Sequence, residues 1–298
     1  MISTIRNFLL FSRLHTVIGT LISIFSLYLI ALSSHHDVQG TIHYLLLTWI
    51  ACLGANIYIV GLNQLTDIEI DKLNKPYLPL ASGAYTKSLA RRIIGIALLI
   101  SVSLGIYCGG FLLATIIVSL FLGTIYSLPP FRLKRFYFWA AFCIIAVRGL
   151  IVNFGLFLHF NSVINHSTDI PATIWMLAGT IFVFSLVIAW FKDIPDIKGD
   201  QNHKINTLSI KLGAKKVFLL GNLILLTLYA AIVALVIRRS EYGNSILLSI
   251  SHSLFIIILL IVASRVNPSD KRSVSRYYQF VWLLFFMEYI IFAISAWS

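Results

Sequence analysis

The stretch NQLTDIEID at residues 63–71 closes an apolar run of 18 residues, which is long enough to cross a bilayer. It places three acidic residues within five positions, in a chain that has only 11 acidic residues. A second acidic group closes another apolar run further along the chain and comprises Asp193, Asp196 and Asp200. Because carboxylates at the ends of membrane-spanning helices are costly, these two groups are the first candidates for a functional site.

The composition around these groups is that of a membrane protein. Hydrophobic residues make up 59% of the 298 residues, charged residues only 11%, and the mean hydropathy is +0.90, which excludes an ordinary soluble domain. The apolar runs are continuous rather than alternating, which argues against a β-barrel. We therefore predict an all-α, polytopic transmembrane bundle that forms one domain over residues 1–298, with nine spans at residues 16–33, 44–66, 92–108, 110–127, 138–158, 172–192, 216–237, 244–263 and 278–297.

The basic residues are distributed unevenly between the two sides of such a bundle. The N-terminal segment and the loops after spans two, four, six and eight carry 20 of the 23 basic residues. By the positive-inside rule, we expect the N-terminus and both acidic groups on the cytoplasmic side and the C-terminus on the opposite side. This bias accounts for the net charge of +12, so the charge indicates contact with the lipid bilayer and no nucleic-acid partner.

The spacing of the first acidic group suggests a metal site. Asn63, Asp67 and Asp71 are four residues apart, so a helix places them on one broad face, about 6 Å apart along its axis. Glu69 points off that face and is expected to be solvated. Two carboxylates and an amide oxygen are hard ligands that suit Mg²⁺, and we predict that these three residues bind it.

The second acidic group repeats the arrangement. Asp193, Asp196 and Asp200 follow at spacings of three and four, although Pro195 and Gly199 favour an unwound turn over a regular helix there. Two facing groups of carboxylates would repel each other. Mg²⁺ and a bound diphosphate would balance their charge, and nearby lysines and arginines would neutralise the remaining phosphate charge.

These motifs resemble those of a known family. Residues 63–71 match the NxxxDxxxD motif of the UbiA superfamily of intramembrane prenyltransferases, and Asp196 to Asp200 resembles its second DxxxD motif. Within the superfamily, the chain is most similar to the homogentisate prenyltransferases, above all to cyanobacterial enzymes that transfer a phytyl group. The strings that carry this closer resemblance are NKPYLPLASG at residues 74–83, VRGLIVN at 147–153 and KDIPDIKGD at 192–200.

The resemblance implies a reaction. A phytyl group would be transferred from its diphosphate to homogentisate, with release of CO₂ and diphosphate, in tocopherol synthesis. The resemblance implies Mg²⁺ as the cofactor, catalytic roles for Asp67, Asp71, Asp196 and Asp200, and metal binding by these four residues together with Asn63. An apolar interior would keep water away from the allylic cation.

One position departs from the family pattern. Many members have an arginine, expected to hold the diphosphate, where Leu78 stands in this chain. Lys75, three residues earlier, is our candidate for a replacement at the diphosphate. Arg13 and Lys134, at the cytoplasmic ends of their spans, are candidates for phosphate contact or for lipid contact alone. Asp193 is a candidate for binding the metal or for supporting its ligands.

Three residues within the spans are further candidates. Arg148 lies mid-span, where an unpaired charge is costly, so we expect it to face a cavity and to contact the diphosphate or the acceptor carboxylate. Asn153 is one turn from Gly149 and is a candidate for a hydrogen bond within the bundle. Tyr126, at a span end, could shield the cation or belong to the aromatic belt at the membrane interface.

Two other classes of function fit parts of the pattern. A transporter or channel for an anionic metabolite would also have many spans and intramembrane charge, and diphosphate release without any gradient would distinguish an enzyme from it. A scaffold without chemistry leaves the paired acidic groups unexplained. Among enzymes, the alternatives are a superfamily member with another isoprenoid length or another acceptor, such as 4-hydroxybenzoate, a naphthoate or chlorophyllide. The sequence indicates no obligate protein partner.

Overall fold

The computed structural model describes residues 2–34, 39–195, 197 and 207–298, and the regular elements in these ranges are all helical. A π-helical segment, Ala146–Ile151, joins α7 to α8. The α-helices are α1 (Ile2–Phe11), α2 (Leu14–Leu32), α3 (Ile42–Thr66), α4 (Ile68–Asn74), α5 (Lys87–Cys108), α6 (Gly110–Ser127), α7 (Tyr137–Ile145), α8 (Val152–Ile164), α9 (Ala172–Asp193), α10 (Leu208–Leu212), α11 (Ala214–Arg238), α12 (Ser245–Ser264) and α13 (Lys271–Trp297).

Nine helices in the described part of the chain are long and apolar enough to cross a membrane. They are α2, α3, α5, α6, the continuous segment Phe138–Ile164, α9, α11, α12 and α13. The predicted all-α bundle with nine spans is therefore confirmed. The largest boundary differences are at α13, which begins seven residues earlier than predicted, and at α8, which ends six residues later.

Helix caps explain why two spans begin earlier than their apolar runs. The Thr86 side chain accepts a hydrogen bond from the Leu89 amide at 3.1 Å, and α5 follows it. The Asp270 carboxylate accepts from the amides of Arg272 and Ser273 at 3.2 and 3.0 Å, and α13 follows it. Such caps satisfy free amides at a helix start, so the helix extends through polar residues that hydropathy alone excludes.

The outer surface of the bundle is apolar. Leu99 and Leu219 are both 68% exposed, and Ile250 is 64% exposed. Patches of this kind on a water-facing surface would favour association, whereas hydrocarbon chains are a suitable environment for them. The chain is accordingly an integral, multi-pass membrane protein.

Small residues set the closest contacts between helices. A Cβ atom at Gly54 in α3 would lie 2.8 Å from the Ala97 carbonyl oxygen in α5, and one at Gly155 in α8 would overlap the Thr115 hydroxyl of α6. Glycine at these positions lets the backbones approach, as in other membrane bundles. Elsewhere in the bundle, α2 packs against α3, α8 and α13, and α9 packs against α11 and α13.

The third and fourth spans are two separate helices, as their predicted bounds require. Helix α5 ends at Cys108 and α6 begins at Gly110. Gly109 between them has φ 121°, which only glycine adopts without strain.

Candidate active site

A cavity of about 1760 Å³ occupies the interior of the bundle. Much of its wall is apolar and comes from the spans, including Ile24, Ile116 and Leu156. Its polar end is formed by the end of α3, by α4, by the α6–α7 loop and by the end of α9. We define the polar end by the residues Arg13, Asn63, Asp67, Asp71, Lys75, Arg132, Lys134 and Lys192, which all line the cavity.

The first acidic group lies on a break in the helix rather than on one regular helix as predicted. Helix α3 ends at Thr66, Asp67 has φ −116° and ψ 18°, and α4 follows. The Asp71 amide still donates to the Asp67 carbonyl at 2.7 Å, so the turn between the two aspartates is kept. Asn63, Asp67 and Asp71 therefore all face the cavity despite the break.

Asp67 is held by two cations of the α6–α7 loop. Its Oδ1 accepts from Lys134 Nζ at 2.7 Å and from Arg132 Nη2 at 3.2 Å. Lys134 also donates to the Thr66 hydroxyl at 2.9 Å. Burial lowers the pKa of Lys134, and the hydrogen bond that Lys134 donates to Asp67 opposes this shift. These hydrogen bonds hold the end of α3 against the α6–α7 loop at the point where the helix breaks.

Asp71 is the unsatisfied member of the group. Its side chain is only 6% exposed, and its Oδ2 has no hydrogen-bond partner within the described ranges. Burial raises the pKa of Asp71, while Lys75 and Arg13 act in the opposite direction. A buried carboxylate oxygen without a donor is costly unless a cation satisfies it. With Asn63 and Asp67 on the same cavity wall, the donor set fits Mg²⁺.

The predicted phosphate-binding residues gather at this polar end. Arg13, which joins α1 to α2 with φ 53°, donates from Nη2 to Asn63 Oδ1 at 3.2 Å. Lys75 follows the last turn of α4, and Leu78 three residues later is buried and also lines the cavity. The structure thus places Lys75 beside the position that lacks the family arginine.

The second acidic group is described only in part. Asp193 ends α9, and its neighbours Lys192 and Pro195 line the same cavity as Asp67. Asp196 and Asp200 lie outside the described residues. Among the residues that are described, no three His, Cys, Asp or Glu side chains form a group able to hold a metal. A metal site shared by the two motifs therefore remains a prediction, although α9 does end at the cavity.

Glu69 points away from the cavity, as predicted. Its carboxylate accepts from Lys72 Nζ at 3.0 and 3.1 Å, and its side chain is 81% exposed. Two residues either side of it, Asp67 and Asp71 face inward. The position of each acidic residue along the turn therefore decides whether its side chain faces the cavity or the solvent.

Arg148 lines the same cavity at mid-span, on the π-helical segment. Its guanidinium carbon lies 4.6 Å from the centre of the Trp282 ring and 5.8 Å from that of Phe285. Asn153 Nδ2 donates to the carbonyls of Arg148 and Gly149 at 3.0 and 2.8 Å. The cavity-facing position of Arg148 and the hydrogen bonding of Asn153 within the bundle are thus as predicted. Tyr126 also lines the cavity, a position suited to shielding a cation.

Sequence reasoning missed Arg132 and Trp282 as site residues. Arg132 was part of a basic run that served only to orient the loops, yet its Nε is buried without a partner in the described ranges. The sequence makes Lys134, two residues later, a candidate for phosphate contact. The turn at Pro129-Pro130 comes just before both residues. Trp282 is one of six tryptophans, and only its contact with Arg148 distinguishes it.

The fold and this cavity define a helical membrane protein with a polar cavity end rich in cations and carboxylates and with an apolar interior. The chain belongs to the UbiA prenyltransferase family, whose model matches residues 20–284. It is 40% identical to the homogentisate phytyltransferase of Synechocystis sp., over 99% of this chain and 97% of that one. It is also 40% identical to homogentisate phytyltransferase 1 of Arabidopsis thaliana, over 94% and 73% of the two chains. The homogentisate geranylgeranyltransferase of Triticum aestivum is 37% identical, over 96% and 72%.

Solved structures share the fold at low sequence identity. A UbiA homolog from Aeropyrum pernix K1 superimposes with a TM-score of 0.67 at 20% identity, over 94% of this chain and 97% of that one. A UbiA homolog from Archaeoglobus fulgidus bound to GPP and Mg²⁺ gives 0.61 at 15% identity, over 97% and 99%. These likenesses establish the architecture of the bundle as that of UbiA homologs.

Proposed function

We propose that this prenyltransferase transfers a phytyl group from its diphosphate to homogentisate, with release of diphosphate and CO₂, and depends on Mg²⁺. The observation that carries the proposal is one cavity that joins a carboxylate- and cation-rich end to an apolar chamber. The acceptor and the isoprenoid follow from the relatives, which are named for homogentisate and, in two of the three cases, for phytyl transfer.

The polar end would hold the donor diphosphate. Asn63, Asp67 and Asp71, together with Asp196 and Asp200, would hold Mg²⁺, which when bound stabilises charge on the leaving diphosphate. The A. fulgidus homolog with GPP and Mg²⁺ supports this choice of metal. The unsatisfied Asp71 Oδ2 is the feature of this chain that such a cation would complete.

The basic side chains would bind the diphosphate directly. Lys134 and Arg132 now donate to Asp67, but an ammonium has three donors and a guanidinium five, so both can bind phosphate and keep that contact. Arg13 and Lys75 add charge on the Asp71 side. Two aspartates are thus accompanied by four cations, an excess that suits a multiply charged anion.

The apolar chamber would take the isoprenoid chain and exclude water. The whole cavity, polar end included, has a volume of about 1760 Å³, which exceeds the about 300–1,000 Å³ of a pocket for a drug-sized ligand and leaves room for a long chain beside an aromatic ring. The allylic C–O bond breaks and its electron pair leaves with the diphosphate. A ring carbon of the acceptor bonds to the allylic carbon and loses a proton. The acetate side chain loses CO₂ and takes up a proton, so the proton balance closes.

The test is release of labelled CO₂ from carboxyl-labelled homogentisate by purified protein with Mg²⁺. Phytyl, geranylgeranyl and solanesyl diphosphates are supplied in parallel, and products are identified by mass. We expect label release and a prenylated methylquinol, with phytyl diphosphate preferred. No label release, alongside turnover of 4-hydroxybenzoate or another aromatic acceptor, would reject the homogentisate assignment and keep only the family.

We further propose that the polar end of the cavity and the N-terminus are cytoplasmic and the C-terminus is opposite. The bias of 20 of 23 basic residues to one set of loops supports this orientation. Single cysteines at Ser82, after α4, and at Thr168, before α9, in a cysteine-free background test it with an impermeant reagent on sealed cells. We expect only the Thr168→Cys variant to be labelled, and the reverse pattern would contradict the orientation.

A further inference from the structure

The Arg148 side chain is a partly buried cation that lines the cavity. No hydrogen bond or ion pair joins its guanidinium to any residue that the structure describes; its contacts there are the Trp282 and Phe285 rings. Contact with an aromatic face stabilises a desolvated cation by up to about 2 kcal/mol. This is less than the free-energy cost of placing a charge at the middle of a membrane. The five N–H donors of this side chain, therefore, are available to a ligand in the cavity.

The backbone that carries Arg148 is fixed in an unusual geometry. A π-helical turn leaves carbonyls without their usual helical partners, and such turns are frequent at functional sites. Asn153 Nδ2 satisfies the carbonyls of Arg148 and Gly149, and Asn153 Oδ1 accepts from the Tyr289 hydroxyl at 2.9 Å. Gly149 also packs so closely on α9 that a Cβ atom there would lie 2.9 Å from Phe182 Cα. The turn is held from two sides.

Arg148 belongs to a different element from the residues of the polar end. It is ten residues into the segment Phe138–Ile164, or about 15 Å along a helix axis, whereas Asp67 and Asp71 lie at a helix end. Three cations of the polar end, Arg13, Arg132 and Lys134, already contact Asn63 or Asp67, but Arg148 contacts aromatic rings. A planar guanidinium stacked on an indole, with its edge free, has the geometry to bind a carboxylate through two parallel hydrogen bonds.

We propose that Arg148 and Trp282 form the subsite for the aromatic acceptor, with Arg148 binding its carboxylate and the surrounding rings holding its aromatic ring. Asn153 and Tyr289 are positioning residues that act through the π-helical turn. This assignment rests on the proposed function, because it requires an acceptor that carries a carboxylate. It also gives a reason for product release: once CO₂ has left, the product has no anion with which to pair with Arg148.

The test distinguishes binding of the acceptor's carboxylate from binding of its aromatic ring. Homogentisate and methylhydroquinone, which lacks the carboxylate, are compared as acceptors for the wild type, Arg148→Gln and Arg148→Lys. In Arg148→Gln we expect the apparent KM for homogentisate to rise about tenfold to a hundredfold. The constants for the prenyl diphosphate and for methylhydroquinone should stay within about twofold, and Arg148→Lys should recover only part of the loss. Arg92→Gln, an exposed arginine on α5 outside the cavity lining, is the control.

A second pair of variants tests the positioning role. Tyr289→Phe removes the hydroxyl that reaches Asn153, while Tyr277→Phe removes a hydroxyl on the same helix that donates to Asn222, and neither Tyr277 nor Asn222 lines the cavity. Both lose one buried hydrogen bond, so their stability losses should be similar. Only Tyr289→Phe should raise the acceptor constant, about threefold to tenfold, with the donor constant unchanged. Equal effects of the two variants on the acceptor constant would reject the positioning role.

The outcomes also separate this inference from the proposed function. If the donor constant rises in Arg148→Gln instead, Arg148 binds the diphosphate and the subsite assignment is wrong. If the wild type turns over no homogentisate, the proposed function fails. Calorimetric binding of homogentisate and of other aromatic carboxylates, which needs no turnover, then decides the subsite: weaker binding to Arg148→Gln than to wild type supports it, and equal binding rejects it.

Discussion

Two carboxylate–cation contacts in the described part of the bundle differ in their ratio of charges and in their exposure. At the polar end of the cavity, Asp67 pairs with both Lys134 and Arg132, and the three side chains are 12–22% exposed to that cavity. Between α12 and α13, Glu288 Oε2 lies 3.0 Å from His252 Nε2, and both side chains are 0% exposed. The first contact has more cations than carboxylates and an opening. The second has one of each and is closed.

The closed pair matches one basic group with one acidic group, although Glu288 Oε1 has no hydrogen-bond partner in the described ranges. His252 Nδ1 lies 2.7 Å from the Leu248 carbonyl, which can only accept, so that nitrogen carries a proton. Nε2 faces the Glu288 carboxyl, so one basic group meets one acidic group. The rings of Tyr229, Phe255 and Phe292 surround the imidazole at 5.6–6.0 Å. The excess of donors at Asp67 is therefore what marks the site that can take an anion.

The largest effect is expected from removing the unsatisfied carboxylate at the open site. Asp71→Asn should reduce turnover about a thousandfold, or about 4 kcal/mol of transition-state stabilisation. Because burial disfavours the ionised form of Asp71, the variant should be at least as stable as wild type without metal. Mg²⁺ should raise the Tm of wild type and not that of the variant, since binding to the folded state alone stabilises it. Turnover in excess chelator, or an equal rise in Tm for the variant, would contradict this assignment.

Breaking the closed pair should affect stability instead of chemistry. Glu288→Ala leaves His252 unpaired in the interior and should cost about 3 kcal/mol of unfolding free energy. The protein that remains folded should keep its kcat/KM, because neither residue lines the cavity. The measurement is denaturant unfolding in detergent beside turnover per folded molecule.

A double variant sharpens the same comparison. His252→Leu with Glu288→Met replaces the pair by apolar side chains of similar volume and should recover most of the lost stability. If Glu288→Ala is instead stable but inactive, the pair takes part in the reaction and the distinction between open and closed contacts is wrong.

The sequence predicted the parts of this structure that depend on neighbouring residues. Hydropathy over about 20 residues located nine spans, Gly109-Gly110 located the α5–α6 hairpin, and spacing distinguished Asp67 and Asp71 from Glu69. The closed pair was missed although Glu288 is one of only 11 acidic residues. Its partner His252 is 36 residues away on another helix, and no local pattern links them.

Other features were missed for the same physical reason. The break at Asp67 depends on Lys134, 67 residues away, and the fixed π-helical turn depends on Tyr289, 136 residues from Asn153. Both are local backbone deviations stabilised by tertiary hydrogen bonds. A periodicity argument assumes a regular helix through these points, so it identifies residues that line the cavity and gives their geometry only approximately.

A smaller effect is expected at the cations of the open site. Lys134→Met removes one charge-assisted hydrogen bond to Asp67 and one donor for the diphosphate. The apparent KM for the prenyl diphosphate should rise about tenfold, and the apparent KM for the acceptor should stay unchanged. Lys87→Met, at an exposed lysine that begins α5 outside the cavity lining, should change neither constant. A rise in the acceptor constant alone would place the acceptor, and not the donor, at this end.

The smallest effect is expected at Glu69, two residues from each site aspartate. Its pair with Lys72 joins side chains that are 81% and 50% exposed, and such a pair contributes about 0.3 kcal/mol. Glu69→Gln should therefore leave turnover within about twofold of wild type and leave the Mg²⁺-dependent rise in Tm unchanged. Glu69→Gln and Asp71→Asn remove the same formal charge from one short helix, so charge alone predicts equal losses. Equal losses of turnover would mean that the acidic segment acts through its total charge. The difference of about a thousandfold that we expect would show that facing the cavity decides which carboxylate matters.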